Sequence, residues 1–208
     1  MLAESARQGV HTVIATPHFY RSQEDIPEFL RRRTVAAQQM ADSVPDGMRI
    51  ILGAEVLLQK GLSKQDLHPL CLEGTNKILI ELPFSPPSAW LYEEMENIAL
   101  EQRLDVILAH VDRYMPWYSH GEMATMMDFP DLSVQLNGEA FSYAGAFRAL
   151  RRWLPHSERI VFGSDMHHAV HRAPNLEQAY RKLKRKSIGR QWLEKARQTS
   201  PALLLSAR

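Results

Sequence analysis

Short apolar runs rich in β-branched and aliphatic residues recur along the chain, separated by longer stretches with helical spacing. Helix-like Leu2–Gln8 stops at Gly9, and "HTVIAT" (His11–Thr16) reads as a strand running into Pro17-His18. An amphipathic helix over about Glu24–Asp42 precedes the strand "RIILGAEV" (Arg49–Val56). After a turn-rich segment come "KILIEL" (Lys77–Leu82) and a helix that Ser88 caps and that reaches about Arg103. "DVILAH" (Asp105–His110), a Met-rich segment near Glu122–Met127, "LSVQLN" (Leu132–Asn137), a helix over Tyr143–Trp153 and "RIVFGSD" (Arg159–Asp165) follow. The last third is helical, with Ser200-Pro201 restarting a helix near the end.

Six strands alternate with helices, and the strands are apolar almost without interruption. Such strands are buried on both faces, as in a parallel sheet or barrel wrapped by helices. The pattern predicts one α/β domain over residues 1–208, without linker, repeat or low-complexity segment. In that architecture the C-terminal ends of the strands share one rim, where active sites are assembled. Here those ends are polar: His18, Glu55, Glu81, His110 and the pair Asp165-x-His167. A carboxylate inside an apolar run must be paired or metal-bound, because burying it bare costs several kcal/mol. Imidazole and carboxylate without thiolate suit Mn, Fe, Zn or Mg ions, and the number of donors suggests more than one. Clustered ions activate water and clamp an oxyanion, the equipment of phosphoester hydrolysis.

Arg113 follows His110 by three residues and Arg172 follows His167 by five, close enough to grip phosphate oxygens. Phe19, Tyr20, Tyr114, Trp117 and Tyr118 sit beside the same loops and are candidates to frame an aromatic leaving group or to pack the rim. His68, His120, His156, His168 and His171 have no evident role.

Composition adds exclusions. A net charge of +1 gives no global pull towards nucleic acid or an anionic membrane, and the basic run Arg181–Lys186 reads as the solvated face of a helix. No apolar run is long enough for a membrane span, and the start does not resemble a signal peptide. The single cysteine, Cys71, fits a reducing compartment, with the cytoplasm as default. "CLEGTNK" approaches a Cys-x5-Arg phosphate loop but carries Lys77 where that loop needs arginine, so Cys71 reads as structural.

"TVIATPHF", "LGAEV", "ILIELPF", "VILAHVDRY" and "FGSDMHH" followed by Arg172-Ala173-Pro174, in this order, resemble the polymerase-and-histidinol-phosphatase (PHP) superfamily. More narrowly they are similar to the bacterial metal-dependent tyrosine-protein phosphatases of capsular and exopolysaccharide clusters. The resemblance spans the chain, including "TSPALLL" at its end. It implies a distorted (β/α)7 barrel with up to three metal ions, commonly manganese. His18 and His167 would hold one ion and Glu55 would bridge the other two. Glu81 and His110 would complete the second, Asp165 would contribute to the first, and Arg113 and Arg172 would bind phosphate. The implied nucleophile is a metal-bound hydroxide, and the substrate a phosphotyrosine protein, specifically a bacterial tyrosine kinase. Neither nucleic acid nor membrane insertion is implied, while a homo-oligomer remains open. Alternatives are a small-molecule phosphatase of the histidinol-phosphate kind and a catalytically inactive module. The family's opening strand with His-x-His, and the aspartate after it, have no counterpart here; "MLAESARQGV" aligns with its first helix. The expectation is a barrel lacking one strand, with two unpaired edges.

Overall fold

A computed structural model describes residues 1–129, 131–154 and 159–203. All strand pairs are parallel. The first predicted strand forms two pieces, β1 (Thr12–Ala15) and β2 (His18–Phe19), and the second forms β3 (Arg49–Leu52) and β4 (Glu55–Leu57). β5 (Lys77–Glu81), β6 (Asp105–Leu108), β7 (Ser133–Asn137) and β8 (Ile160–Gly163) stand where the apolar runs predicted them. β1 pairs with β3, and the remaining strands run in the order β2-β4-β5-β6-β7-β8.

The two breaks have local causes. Pro17 has no N–H to donate, so a ladder cannot run through it. The second break falls at Gly53, where an added Cβ would lie 2.7 Å from Leu72 Cδ2 and push that side chain aside. The jogs stay in register, since Gly53 N–H donates to Ala15 O (2.9 Å) and Glu55 N–H to Pro17 O (3.1 Å).

The described residues include seven α-helices: α1 (Leu2–Arg7) before β1, α2 (Ile26–Met40), α3 (Ala89–Glu96), α4 (His120–Met127) and α5 (Ala146–Trp153) between strands, and α6 (Leu176–Lys184) and α7 (Ser187–Ala202) after β8. Ser88 occupies the N-cap of α3, though its hydroxyl makes no capping bond, and α3 runs on as a π turn over Asn97–Glu101. The helix expected over Tyr143–Trp153 starts later, at Ala146, after a 3₁₀ turn at Gly138–Ser142. The expected restart at Ser200-Pro201 is corrected: α7 runs through Pro201, which has no N–H to donate to the Arg197 carbonyl in the last helical turn. His156 and the end of "TSPALLL" lie outside the described residues.

Burial on both faces explains the unbroken apolar strands. Ile78, Ile80, Val106, Leu108 and Ile160 face the helices in the main core, while Leu79, Ile107 and Val161 face a second cluster with Ile14, Leu72 and Leu203. Among the described residues β1 and β3 pair only with each other, and the six-stranded order ends at β2 and β8. Residues of β1 and β8 line a cavity of about 1170 Å³ that reaches His18, Asp165 and His167. α1 ties the two sides together, with Gln8 Nε2 donating to Pro174 O (3.0 Å).

Candidate metal and phosphate site

Every polar strand end picked from the sequence arrives at one rim. His18 pairs directly with Glu55 across β2 and β4, and Glu81 stands opposite Leu57 one strand further. His110 lies two residues beyond β6, Asp165 and His167 just beyond β8, Arg113 in the 3₁₀ turn Val111–Tyr114, and Arg172 on the loop before α6. Parallel register does the assembly, because neighbouring strands deliver equivalent positions to the same edge.

His18, Glu55 and Glu81 place one donor atom each within 4.8 Å of one another and can hold a metal ion. His110 Nε2 lies 3.1 Å from Glu55 Oε1 and 3.3 Å from Glu81 Oε1. Glu55, Glu81 and His110 are all buried. Burial pushes the His110 imidazole down, but its hydrogen bonds to Glu55 and Glu81 outweigh that and lift it to about 9. Two buried carboxylates thus favour a cationic neighbour.

The donor set fits a bound metal. His18 Nδ1 is buried without a hydrogen-bond partner and faces Glu55 Oε1 at 3.5 Å, a place a shared ion would fill. His18 Nε2 and His167 Nε2 face each other at 3.2 Å, the edge length of about 3.0–3.4 Å spanned by two nitrogens each about 2.1 Å from one ion.

A second group surrounds Asp165. Arg172 forms an ion pair with it, Arg113 Nη1 lies 3.6 Å away, and Asn137 Nδ2 donates to it at 3.1 Å. His167 Nδ1 sits 3.0 Å from the Asp165 carbonyl, and its N–H donates to Arg172 O (3.1 Å). His110, Asp165 and Arg172 all have positive φ (29°, 47° and 61°), a backbone region that L side chains rarely adopt. They are three of five such non-glycine residues among those described, the others being Arg103 and Asp131 away from the rim.

The arginines open onto a cleft of about 530 Å³ lined also by His18, Tyr20, Glu81 and Phe84. Arg113 lies 4.8 Å over the Phe84 ring, whose face stacks on His110 at 5.9 Å. Of the five aromatics singled out in the sequence, only Tyr20 lines this cleft. Phe19 and Tyr114 are fully buried, and the Tyr114 hydroxyl accepts from Leu82 N–H (2.8 Å). Tyr118 donates to Pro83 O, and Trp117 is exposed outside the lining. His168 and His171 stack on each other at 5.7 Å without joining the cluster.

Sequence reasoning missed three residues. Phe84 was passed over in favour of aromatics nearer the histidines. Gln135 accepts from His110 N–H (2.6 Å) and donates to Asn137 Oδ1 (2.8 Å), so both orient neighbours of the donor cluster. Their signal was visible as two amides at alternate positions of the apolar run "LSVQLN".

The comparisons with known proteins agree with this geometry. The chain is 26% identical over 194 residues to the tyrosine-protein phosphatase CpsB of Streptococcus pneumoniae, covering 86% of this chain and 78% of that one. Its fold matches, at a TM-score of 0.74 and 19% identity, a chain solved in work on YwqE from Bacillus subtilis and CpsB from Streptococcus pneumoniae. Those proteins are described as unique metal-dependent tyrosine phosphatases, and the match covers 96% of this chain and 84% of the other. Since residues 1–206 also match the profile of the CpsB/CapC family of capsular polysaccharide synthesis, this chain belongs to that family.

Proposed function

We propose that this protein is a metal-dependent protein-tyrosine phosphatase of capsular or exopolysaccharide synthesis, with a bacterial tyrosine kinase as substrate. The reading rests on one observation: a buried His/Glu cluster and two arginines converge on one cleft with an aromatic wall. His18, Glu55, Glu81, His110, Asp165 and His167 would hold the divalent ions, with manganese the first to try. Bound there, such ions supply a Lewis acid that acidifies water and polarises the phosphoryl group.

The side chains carry the rest. Arg113 and Arg172 offer guanidinium forks for the nonbridging phosphate oxygens, and Asp165 holds both heads at the mouth. Phe84 and Tyr20 give the phenyl ring of phosphotyrosine an apolar surface. Asn137 and Gln135 keep Asp165 and His110 in place.

The test is release of phosphate from a phosphotyrosine peptide by protein stripped with EDTA and reloaded with Mn. Activity is expected only after reloading. Arg113→Ala should lower it roughly 10- to 100-fold, the worth of one charge-assisted contact. Phe84→Leu should raise KM for aryl phosphates and leave alkyl phosphates unchanged. Absence of metal stimulation sinks the proposal, and a preference for histidinol phosphate over the peptide would redirect it to the small-molecule reading.

A further inference from the structure

The net charge of +1 conceals a segregation. Residues 146–208 carry 14 Lys and Arg against four Asp and Glu, or +10, while residues 1–145 carry 11 against 20, or −9. Within the basic third, the only acids on the helices are Glu177 and Glu194. Glu177 is already engaged with Arg181.

The bases face outward. α5 buries Leu150 and Trp153 and exposes Arg148, Arg151 and Arg152. α6 buries Ala179 and Leu183 and exposes Arg181 and Lys184. Arg185 and Lys186 are exposed at the α6–α7 junction, and α7 adds Arg190 and Arg197. Arg148, Arg151, Arg152, Arg185, Lys186 and Arg197 have no carboxylate partner among the described residues. The three helices form one layer, since α6 packs on α7 and Phe147 of α5 stacks on Trp192 of α7 at 6.1 Å.

The layer flanks the candidate catalytic rim. α6 lies along the 3₁₀ turn Gly138–Ser142 that follows β7, with Lys182 Nζ donating to Ser142 Oγ (3.0 Å). Of two exposed tyrosines nearby, Tyr180 (46%) lies beneath Lys184 Nζ at 4.7 Å, while Tyr143 (64%) donates its hydroxyl to Glu139 Oε1 (3.2 Å).

We propose that this basic face of α5, α6 and α7 docks reversibly on the anionic headgroups of a lipid bilayer. Charge complementarity selects the occupant's sign, and the spread of bases over three helices and a junction selects a fluid surface. Mobile headgroups adapt to such spacing, whereas a rigid acidic partner needs matching positions. An exposed tyrosine among bases, Tyr180, suits the headgroup level of a membrane. The apolar stripes of the helices are already buried in the core, so docking is peripheral, without insertion, and weakened by salt. Held this way, the catalytic mouth lies close to the bilayer.

The experiment is co-sedimentation of the full chain with vesicles of phosphatidylcholine alone or mixed with phosphatidylglycerol, at low and high salt. Binding is expected only to the mixed vesicles and only at low salt. The triple variant Lys184→Gln, Arg185→Gln, Lys186→Gln should bind roughly 100-fold more weakly, from about fivefold per base near the surface. Arg49→Gln, Lys60→Gln, Lys64→Gln, with equal charge removed from the other part of the chain, should bind as wild type. Unchanged thermal unfolding of both variants separates loss of docking from loss of fold. Equal binding to neutral vesicles, equal weakening by the two triples, or salt-reversible self-association in place of lipid binding would each overturn the proposal.

Discussion

Gly163 is the position where the site's scaffolding is most open to a minimal perturbation. A Cβ there would meet Gln135, inside contact distance of Nε2 and 2.9 Å from Cδ. Gln135 cannot yield freely, because its Oε1 accepts from His110 N–H at 2.6 Å and its Nε2 donates to Asn137 Oδ1 at 2.8 Å. Asn137 in turn donates to Asp165. Gly163→Ala therefore either overpacks the spot, at about 1–3 kcal/mol, or pushes the amide out of two hydrogen bonds worth about 1 kcal/mol each. The expected loss is about 2–4 kcal/mol, a fall in Tm of about 4–16 °C for a chain of this size. Denaturant unfolding in EDTA measures it without metal linkage. A double-mutant cycle isolates the cause: in a Gln135→Ala background the added methyl finds space, so its cost should drop below about 1 kcal/mol. The argument fails if Gly163→Ala lies within about 0.5 kcal/mol of wild type, or costs the same in both backgrounds.

Three further outcomes follow from single side chains. Cys71 is buried, and desolvation lifts its thiol to about 12, so iodoacetamide should leave it untouched in the native protein and label it fully in denaturant; stoichiometric native labelling would contradict this. Tyr114→Phe leaves the Leu82 N–H without its acceptor beside Glu81 and should cost about 1–3 kcal/mol in urea unfolding, an effect absent if water replaces the hydroxyl. Burial alone would raise the Glu94 carboxyl, but the Ser63 and Gly61 N–H groups outweigh it and hold the group below its ordinary 4.5. A depressed folded value stabilises above the unfolded one and is lost as pH falls through it, so wild type should exceed Glu94→Gln in stability at neutral pH and converge with it below pH 4.5.

How much of this could be read from the sequence depended on which interactions are local in the chain. The strands were legible because both of their faces are buried, so that Ile78, Leu79 and Ile80 are all apolar although they face different cores. The convergence of His18, Glu55, Glu81 and His110 was legible for the complementary reason: an acid or imidazole ending such a run has no apolar explanation, and parallel register carries equivalent positions to one rim. What escaped was set by contacts between distant residues. Phe84 counts as a cleft wall only because Arg113 lies over it, and Gln135 counts as a support only because it bonds to His110, 25 residues away. The crowding of Gly53 by Leu72 belongs to the same class, whereas Pro17 breaks its strand by its own missing N–H. The charge segregation was in the sequence throughout, yet a sum of +1 concealed it. A near-zero total tells nothing about potentials when the two signs occupy different parts of the fold, and the layering of α5, α6 and α7 is what turns a local basic run into a surface.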